Sequence, residues 1–182
     1  MQSVGSYCFY KLFYNCKNIS DCSSMTLPAT TLADYCYGSM FSGCTSLTQA
    51  PKLPATTLAD YCYGSMFNEC TSLTQAPEFP ATTLANYCYI SMFQSCTSLA
   101  QAPALPATTL ADSCYNYMFS GCSSLIQSPA IKTYTPNLYA FSYMLNTLSY
   151  TTYKWSLTSC KCWRQSILQS KRWQYINQEK RL

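Results

Sequence analysis

The chain repeats itself every 26 residues, and this period constrains its fold more than any other feature. The segment LPATTLADYCYGSMFSGCTSLTQAP begins at Leu27, and near-copies begin at Leu53, Phe79 and Leu105. A segment of 26 residues buries too little apolar surface to fold alone, so each copy must share a core with its neighbours. The sequence therefore predicts a solenoid of stacked repeats.

Degenerate copies flank the four clean ones, so we expect about six repeats in total. Upstream, residues 8–16 keep the pattern of residues 36–44; downstream, residues 140–145 keep that of residues 114–119. Drift at both ends is typical of capping copies in a stacked array. The predicted organisation is a solenoid over residues 1–149, with degenerate copies at 1–26 and 131–149, clean copies at 27–130, and a separate tail at 150–182.

Within a copy, apolar residues fall at helical spacing. Cys36, Met40 and Cys44 are four residues apart, which predicts an amphipathic helix of about three turns. Gly43, and Gly121 in the fourth copy, stand where a helix would end. Each copy should therefore contain one short helix.

The stretch of residues 47–54 contains two prolines and cannot lie inside a helix, which predicts a strand of three or four residues. Stacked strands lie ~4.8 Å apart, whereas packed helices need roughly 8–10 Å between axes. The array should therefore curve, with short parallel strands on the concave face and short helices on the convex face. A loose turn in place of the helix would straighten the arc.

The pattern MF-x-x-C-x-S-L from Met40 to Leu47, followed by LTxxPxLP, resembles the BspA-like leucine-rich repeat family over roughly residues 7–149. The resemblance implies a right-handed leucine-rich-repeat solenoid. Members are bacterial, and some protist, surface-exposed or secreted proteins implicated in adhesion to host proteins and other cells. Similar repeats occur in mobile-element and phage proteins of gut bacteria. The resemblance implies a cell-surface or extracellular location.

The N-terminal residues do not have the pattern of a secretory signal peptide. Three explanations stay open: the chain is a fragment, it is exported by another route, or it remains inside the cell. No run approaches the 18 apolar residues of a membrane span.

Charge is divided unevenly along the chain. Residues 27–130 carry one base against five acids, a net charge of −4, whereas residues 151–182 carry seven bases against one acid, a net charge of +6. The basic tail also contains all three tryptophans. It has three interpretations: a helix capping the last repeat, a contact for nucleic acid or an acidic surface, or a truncated or frame-disrupted end.

Thirteen cysteines suggest a disulfide framework, but their columns argue against one. On the predicted helices, both the two cysteines of a copy and equivalent cysteines of neighbouring copies would exceed the ~7 Å Cα separation that a bridge allows. Ala140 and Leu148 replace them in the last copy. We therefore expect buried, small apolar side chains. Pairs would come within reach only if Cys44 and its equivalents lay on a turn with sheet-like spacing.

Groups for catalysis or metal binding are few. There is no histidine, and the lone close pair Cys160–Cys162 is a weak metal signal. Asp34 recurs at Asp60 and Asp112, but the third copy has Asn86 there. Because both residue types cap helices, we expect capping rather than a carboxylate row with a catalytic role. The sequence predicts no enzyme, no cofactor and no metal site.

Side chains that vary between copies and flank the inward leucine are the candidates for partner binding on the concave face. Simple drift of solvent-exposed positions explains such variation equally well. The candidates are Thr48, Lys52, Thr74, Glu78, Ala100, Ala104, Ile126 and Ala130.

Two functions follow from these features. The first is a non-enzymatic binding or adhesion module whose partner is a protein or glycan on another cell or a host surface. The second is a structural or assembly spacer in a surface- or phage-associated protein, with no specific ligand. Neither involves a small-molecule substrate, and nucleic acid enters only through the basic tail.

Overall fold

A computed structural model describes residues 4–126, 129–132 and 139–145. The tail of residues 150–182, its Cys160–Cys162 pair and Leu148 lie outside the described residues. The predictions made for them therefore stay predictions.

Consecutive copies are joined by a regular ladder of backbone hydrogen bonds. In residues 34–43, alternate N–H groups donate to the next copy: that of Tyr35 to the Asp60 carbonyl at 3.1 Å and that of Tyr37 to the Cys62 carbonyl at 3.0 Å. The intervening N–H groups donate three residues back within their own copy, as Met40 does to Tyr37 at 3.2 Å. The same alternation recurs in the equivalent segments 60–69, 86–95 and 112–121, and in segment 6–15.

The predicted helices are wrong for the described residues, where residues 34–43 and their equivalents are runs of turns. An α-helix requires each N–H to donate four residues back, whereas these groups donate three residues back or to the next copy. The spacing of Cys36, Met40 and Cys44 is the four-residue period of this turn run. Aromatic, serine and glycine residues are poor helix formers, and stacked copies offer alternate N–H groups a partner that a lone helix would not.

Every fourth residue of a turn run adopts the left-handed conformation. The φ angle is 56° at Tyr35, 52° at Ser39 and 77° at Gly43. Residues other than glycine seldom adopt this region, at a cost of order 1 kcal/mol each. Gly43 and Gly121 thus have the φ expected of a helix end, but they stand in turn runs. The other described residues with positive φ are Tyr7, Lys11, Asn15, Tyr61, Ser65, Glu69, Tyr87, Ser91, Ser95, Ser113, Tyr117 and Tyr143.

The predicted strands shrink to isolated bridges in the described residues. All of these bridges are parallel, which is the predicted direction. Proline has no N–H to donate to a ladder, so Pro51 and Pro54 limit pairing along the extended segment. The paired residues are Asp21 with Gln49, Thr31 with Thr57, Gln75 with Gln101, Thr83 with Thr109, and Leu105 with Ile131.

The core consists of side chains stacked in columns, each column taking one side chain from every copy. Tyr37, Tyr63, Tyr89 and Tyr115 form one column with ring centroids 5.8 Å apart. A second column contains Phe41 and its equivalents, 5.7 Å apart. These rings are fully buried, and burial of each contributes roughly 2–3 kcal/mol. The described residues include no helix long and apolar enough to cross a membrane.

Candidate binding surface

The eight candidate binding residues lie in two columns, here called the variable columns. The first contains Thr48 and its equivalents, and the second contains Lys52 and its equivalents. Ala100 is half-buried and the other seven residues are exposed. The first column is Thr48, Thr74, Ala100 and Ile126, and the second is Lys52, Glu78, Ala104 and Ala130.

A backbone hydrogen bond between copies places Ala100 and Ile126, two neighbours of the first column, side by side. The Ile126 N–H donates to the Ala100 carbonyl at 3.1 Å. The Ile126 side chain is 66% exposed. Lys52 and Glu78, both described, make no ion pair with each other or with another described residue. The variable columns therefore offer a partner two unpaired opposite charges and one exposed apolar side chain.

The aspartate row does not cap helices, so the capping interpretation is wrong. The Asp34 carboxylate accepts a hydrogen bond from the backbone N–H of Asp60 in the next copy at 3.2 Å. Asp60 accepts from the N–H of Asn86 at 3.0 Å, and Asn86 accepts from that of Asp112 at 3.1 Å. These side chains therefore link successive copies. Thr31, three residues before Asp34, pairs with Thr57 of the next copy in a parallel bridge.

Next to this row lies a partly exposed column of stacked tyrosines, here called the outer tyrosine column, which was not predicted from the sequence. The rings of Tyr7, Tyr35, Tyr61 and Tyr87 stack 4.6–4.8 Å apart and within 7° of parallel. Partial burial, together with the neighbouring tyrosines and aspartates, raises the pKa of the Tyr35 hydroxyl. The signal was present in the sequence, since a tyrosine follows the Asp or Asn position in three successive clean copies. On helices packed roughly 8–10 Å apart, these tyrosines would not stack and would only face solvent.

The described cysteines carry free thiols, most of them inside the core. Cys36, Cys62, Cys88 and Cys114 form one buried column. Burial raises the pKa of the Cys36 thiol to about 11 and that of Cys62 to about 12. Thiolates are the reactive form of cysteine, so these sulfurs are poor nucleophiles at neutral pH.

The second cysteine column contributes hydrogen bonds between copies. The Cys70 thiol donates to the Phe41 carbonyl at 3.1 Å, and the Cys96 thiol to the Phe67 carbonyl at 3.0 Å. The helix-based separation between equivalent cysteines of neighbouring copies is wrong, because backbone hydrogen bonds join those copies at sheet-like spacing. The thiols of the second column are therefore described by their burial and by these hydrogen bonds, and not by a separation too large for a disulfide.

Within the described part of the chain, no three Cys, Asp or Glu side chains come together as a metal site would require. Comparison with known proteins gave no match to a family model, a curated protein or a solved structure.

Proposed function

We propose that this chain is a non-enzymatic binding module that attaches to a protein partner through the variable columns. In this proposal it is a leucine-rich-repeat solenoid of the BspA-like kind and acts at a cell surface. Because turns replace the helices that would have forced a strong curve, we propose a straighter array than a horseshoe. A glycan is the second ligand class for the same surface.

The proposal rests on one contrast: the exposed side chains of the variable columns differ between copies, whereas the buried side chains recur. Buried positions such as Tyr63 and Phe67 recur almost unchanged, whereas the variable columns change in charge and polarity from copy to copy. Protein interfaces combine an apolar centre with a polar rim, and Ile126 with Lys52 and Glu78 supplies both elements. Unpaired charges also favour a specific partner over others.

A structural spacer is the second candidate function, and the ladder between copies favours it. Each turn run donates backbone hydrogen bonds to the next copy, as Tyr35 does to Asp60. Such contacts would hold the copies of a spacer together without any ligand site. A spacer requires only that these contacts persist from copy to copy.

Binding assays with charge-reversal variants distinguish the two functions. The purified chain is tested against arrays of extracellular-matrix proteins and glycans, and the dissociation constant of each saturable ligand is measured. We expect Lys52→Glu or Glu78→Lys to weaken binding about tenfold, which corresponds to about 1.4 kcal/mol. Glu69→Lys reverses an exposed charge outside the variable columns and should leave binding unchanged.

A different outcome would support the spacer. Binding to nothing on either array, with an elongated shape and self-association that rises with concentration in analytical ultracentrifugation, contradicts the binding module. Saturable binding that ignores both charge reversals would place the binding surface elsewhere on the chain.

A further inference from the structure

The outer tyrosine column lacks one ring in the fourth clean copy. The position after Tyr87 in the column is Ser113, whose φ of 51° is close to the 55° of Tyr87. Because the backbone conformation is the same, the Cα–Cβ bond of Ser113 has the same direction as the Cα–Cβ bonds of the tyrosines in the column. The backbone at Ser113 therefore repeats that of the column, but the side chain carries no aromatic ring.

The copy-to-copy register is intact on both sides of Ser113. The Tyr87 N–H donates to the Asp112 carbonyl of the next copy at 2.9 Å, and the Tyr115 N–H donates to the Ala140 carbonyl of the copy after that at 2.9 Å. Tyr139 holds the equivalent position one copy later, and its side chain is 66% exposed. The tyrosine rings follow one another at 4.6–4.8 Å, so the step at which Ser113 replaces tyrosine has the thickness of one aromatic ring.

Only one face of the Tyr87 ring is stacked on another aromatic ring of the described residues. Tyr61 covers that face with a centroid distance of 4.6 Å, and no further ring contact of Tyr87 occurs among the described residues. Aromatic rings favour offset-stacked neighbours. The opposite face therefore suits a flat ring in the orientation that the column already uses.

The amide of Asn116 flanks the gap. Asn116 is equivalent to Gly64, where an added Cβ would lie 3.7 Å from Cδ1 of Tyr61 and 3.2 Å from Cγ2 of Ile90. A side chain at this position therefore borders the ring of the tyrosine three residues earlier. Oδ1 of Asn116 is buried and has no hydrogen-bond partner, although the residue as a whole is only half-buried. A buried acceptor without a partner is rare and favours a donor that can reach it.

We propose that the gap over Ser113 binds the side chain of a tyrosine from a partner protein. Its ring stacks on Tyr87, and its hydroxyl enters first and donates a hydrogen bond to Oδ1 of Asn116 after a small rotation of that amide. The stacked tyrosines of the chain show that a phenol ring fits this step. The site lies in the turn runs and does not depend on the variable columns.

Titrations with two small probes test the proposal on the full chain. N-acetyl-tyrosinamide should bind with a roughly millimolar dissociation constant, as one ring and one hydrogen bond allow. It should bind about fivefold more tightly than N-acetyl-phenylalaninamide, which lacks the hydroxyl. Changes in protein NMR chemical shifts report both affinities and their location.

Three variants locate the binding. Ser113→Tyr fills the gap with the chain's own ring and should abolish binding. It should fold, because tyrosine already stands at four equivalent positions with the same left-handed backbone. Ser39→Tyr makes the same change at a left-handed serine of another copy and should leave binding intact. Asn116→Gly introduces the residue that Gly38 and Gly64 provide in other copies, and it should bring the affinity ratio of the two probes to about one.

Several outcomes would overturn the proposal. Unchanged tyrosinamide binding in Ser113→Tyr would place the site elsewhere, and no binding of either probe at about 50 mM would exclude a site of the expected strength. Methyl β-D-glucopyranoside serves as the saccharide probe. If it binds more tightly than tyrosinamide and is displaced in Ser113→Tyr, the gap is a sugar site. Lys52→Glu should have no effect, so failure here is distinct from failure of the proposed function.

Discussion

The Asp60 carboxylate accepts two hydrogen bonds from Asn86, one from the backbone N–H at 3.0 Å and one from the side-chain Nδ2 at 3.4 Å. Asn86 in turn accepts the N–H of Asp112 at 3.1 Å. An amide both donates and accepts, whereas a carboxylate only accepts. The asparagine therefore links two aspartates that would otherwise face a third carboxylate.

Replacing this amide by a carboxylate should destabilise the array. We expect Asn86→Asp to lower the free energy of unfolding by about 0.5–1 kcal/mol at pH 7, because it removes the Nδ2 hydrogen bond and places four carboxylates in a row. The difference should shrink in about 1 M salt, which screens the repulsion between exposed carboxylates. Urea unfolding followed by circular dichroism measures it.

The control for this change is Asp34→Asn, which keeps the acceptor for the Asp60 N–H and removes one charge from the end of the row. It should be neutral or slightly stabilising. A loss of stability in Asn86→Asp that persists unchanged at the high salt concentration would show that charge repulsion is not its main cause.

The buried tyrosine column carries hydroxyl groups that the fold does not satisfy. The hydroxyl oxygens of Tyr37, Tyr63 and Tyr115 are buried without a hydrogen-bond partner. The end copies have Phe9 and Phe141 in the same column, stacked on Tyr37 and Tyr115. A phenyl ring therefore fits this column.

Tyr63→Phe should raise the free energy of unfolding by about 1 kcal/mol, because it removes a desolvated hydroxyl and keeps the ring. Tyr63→Ala should lower it by roughly 3–5 kcal/mol by opening a cavity. Tyr61→Phe, in the outer tyrosine column, should change little. Thermal and urea unfolding of the three variants check these values, and a destabilised Tyr63→Phe would mean that the hydroxyl has a partner in solution.

The buried thiols should make the fold sensitive to alkaline pH. Burial raises the pKa of Cys36 and Cys44 to about 11 and that of Cys62 to about 12, from an ordinary value of 9.0. The unfolded chain therefore loses these protons at lower pH than the folded chain does. Stability is fully present below pH 9 and falls as pH rises toward 11–12.

Each such thiol should contribute a loss of up to ~1.4 kcal/mol per pH unit in that window. Unfolding free energies measured by urea titration from about pH 8 to 11 should show the fall, and Cys62→Ala should reduce its slope. Alanine fits this column, because Ala140 holds the equivalent position. Equal slopes in the two proteins would rule out the Cys62 thiol as a cause.

Several features of the molecule were predictable from the period alone. The apolar positions Cys36, Met40 and Cys44 are buried, and the side chains proposed for binding are mostly exposed. Both results follow because near-identical copies must bury the same positions. The parallel direction of the bridges was predictable for the same reason.

The turn run was not predictable, because its cause lies between copies. Three residues at four-residue spacing fit one face of a helix as well as a run of turns, and they are too few to separate a period of 3.6 from one of about 4.0. The deciding hydrogen bonds, such as that from Ser39 to Gly64 at 2.8 Å, join residues of different copies. The outer tyrosine column and the role of Asn86 depend on the same pairing, so neither could be found without it.

The left-handed positions provide the sharpest test of the turn run. Glu69 has a φ of 60° and is equivalent to Gly43 and Gly121, which have φ angles of 77° and 79°. Glu69→Gly should raise the free energy of unfolding by about 1 kcal/mol, because glycine adopts this conformation without steric cost. Asn68→Gly, one residue earlier and not at positive φ, should lower it by about 0.5–1 kcal/mol. Gly43→Ala should also be destabilising, since its Cβ would collide with the Asn15 side chain. Urea unfolding of the three variants gives the signs. If Glu69→Gly loses stability as Asn68→Gly does, residue 69 is not left-handed in solution. That result would favour the helix predicted from the sequence over the turn run.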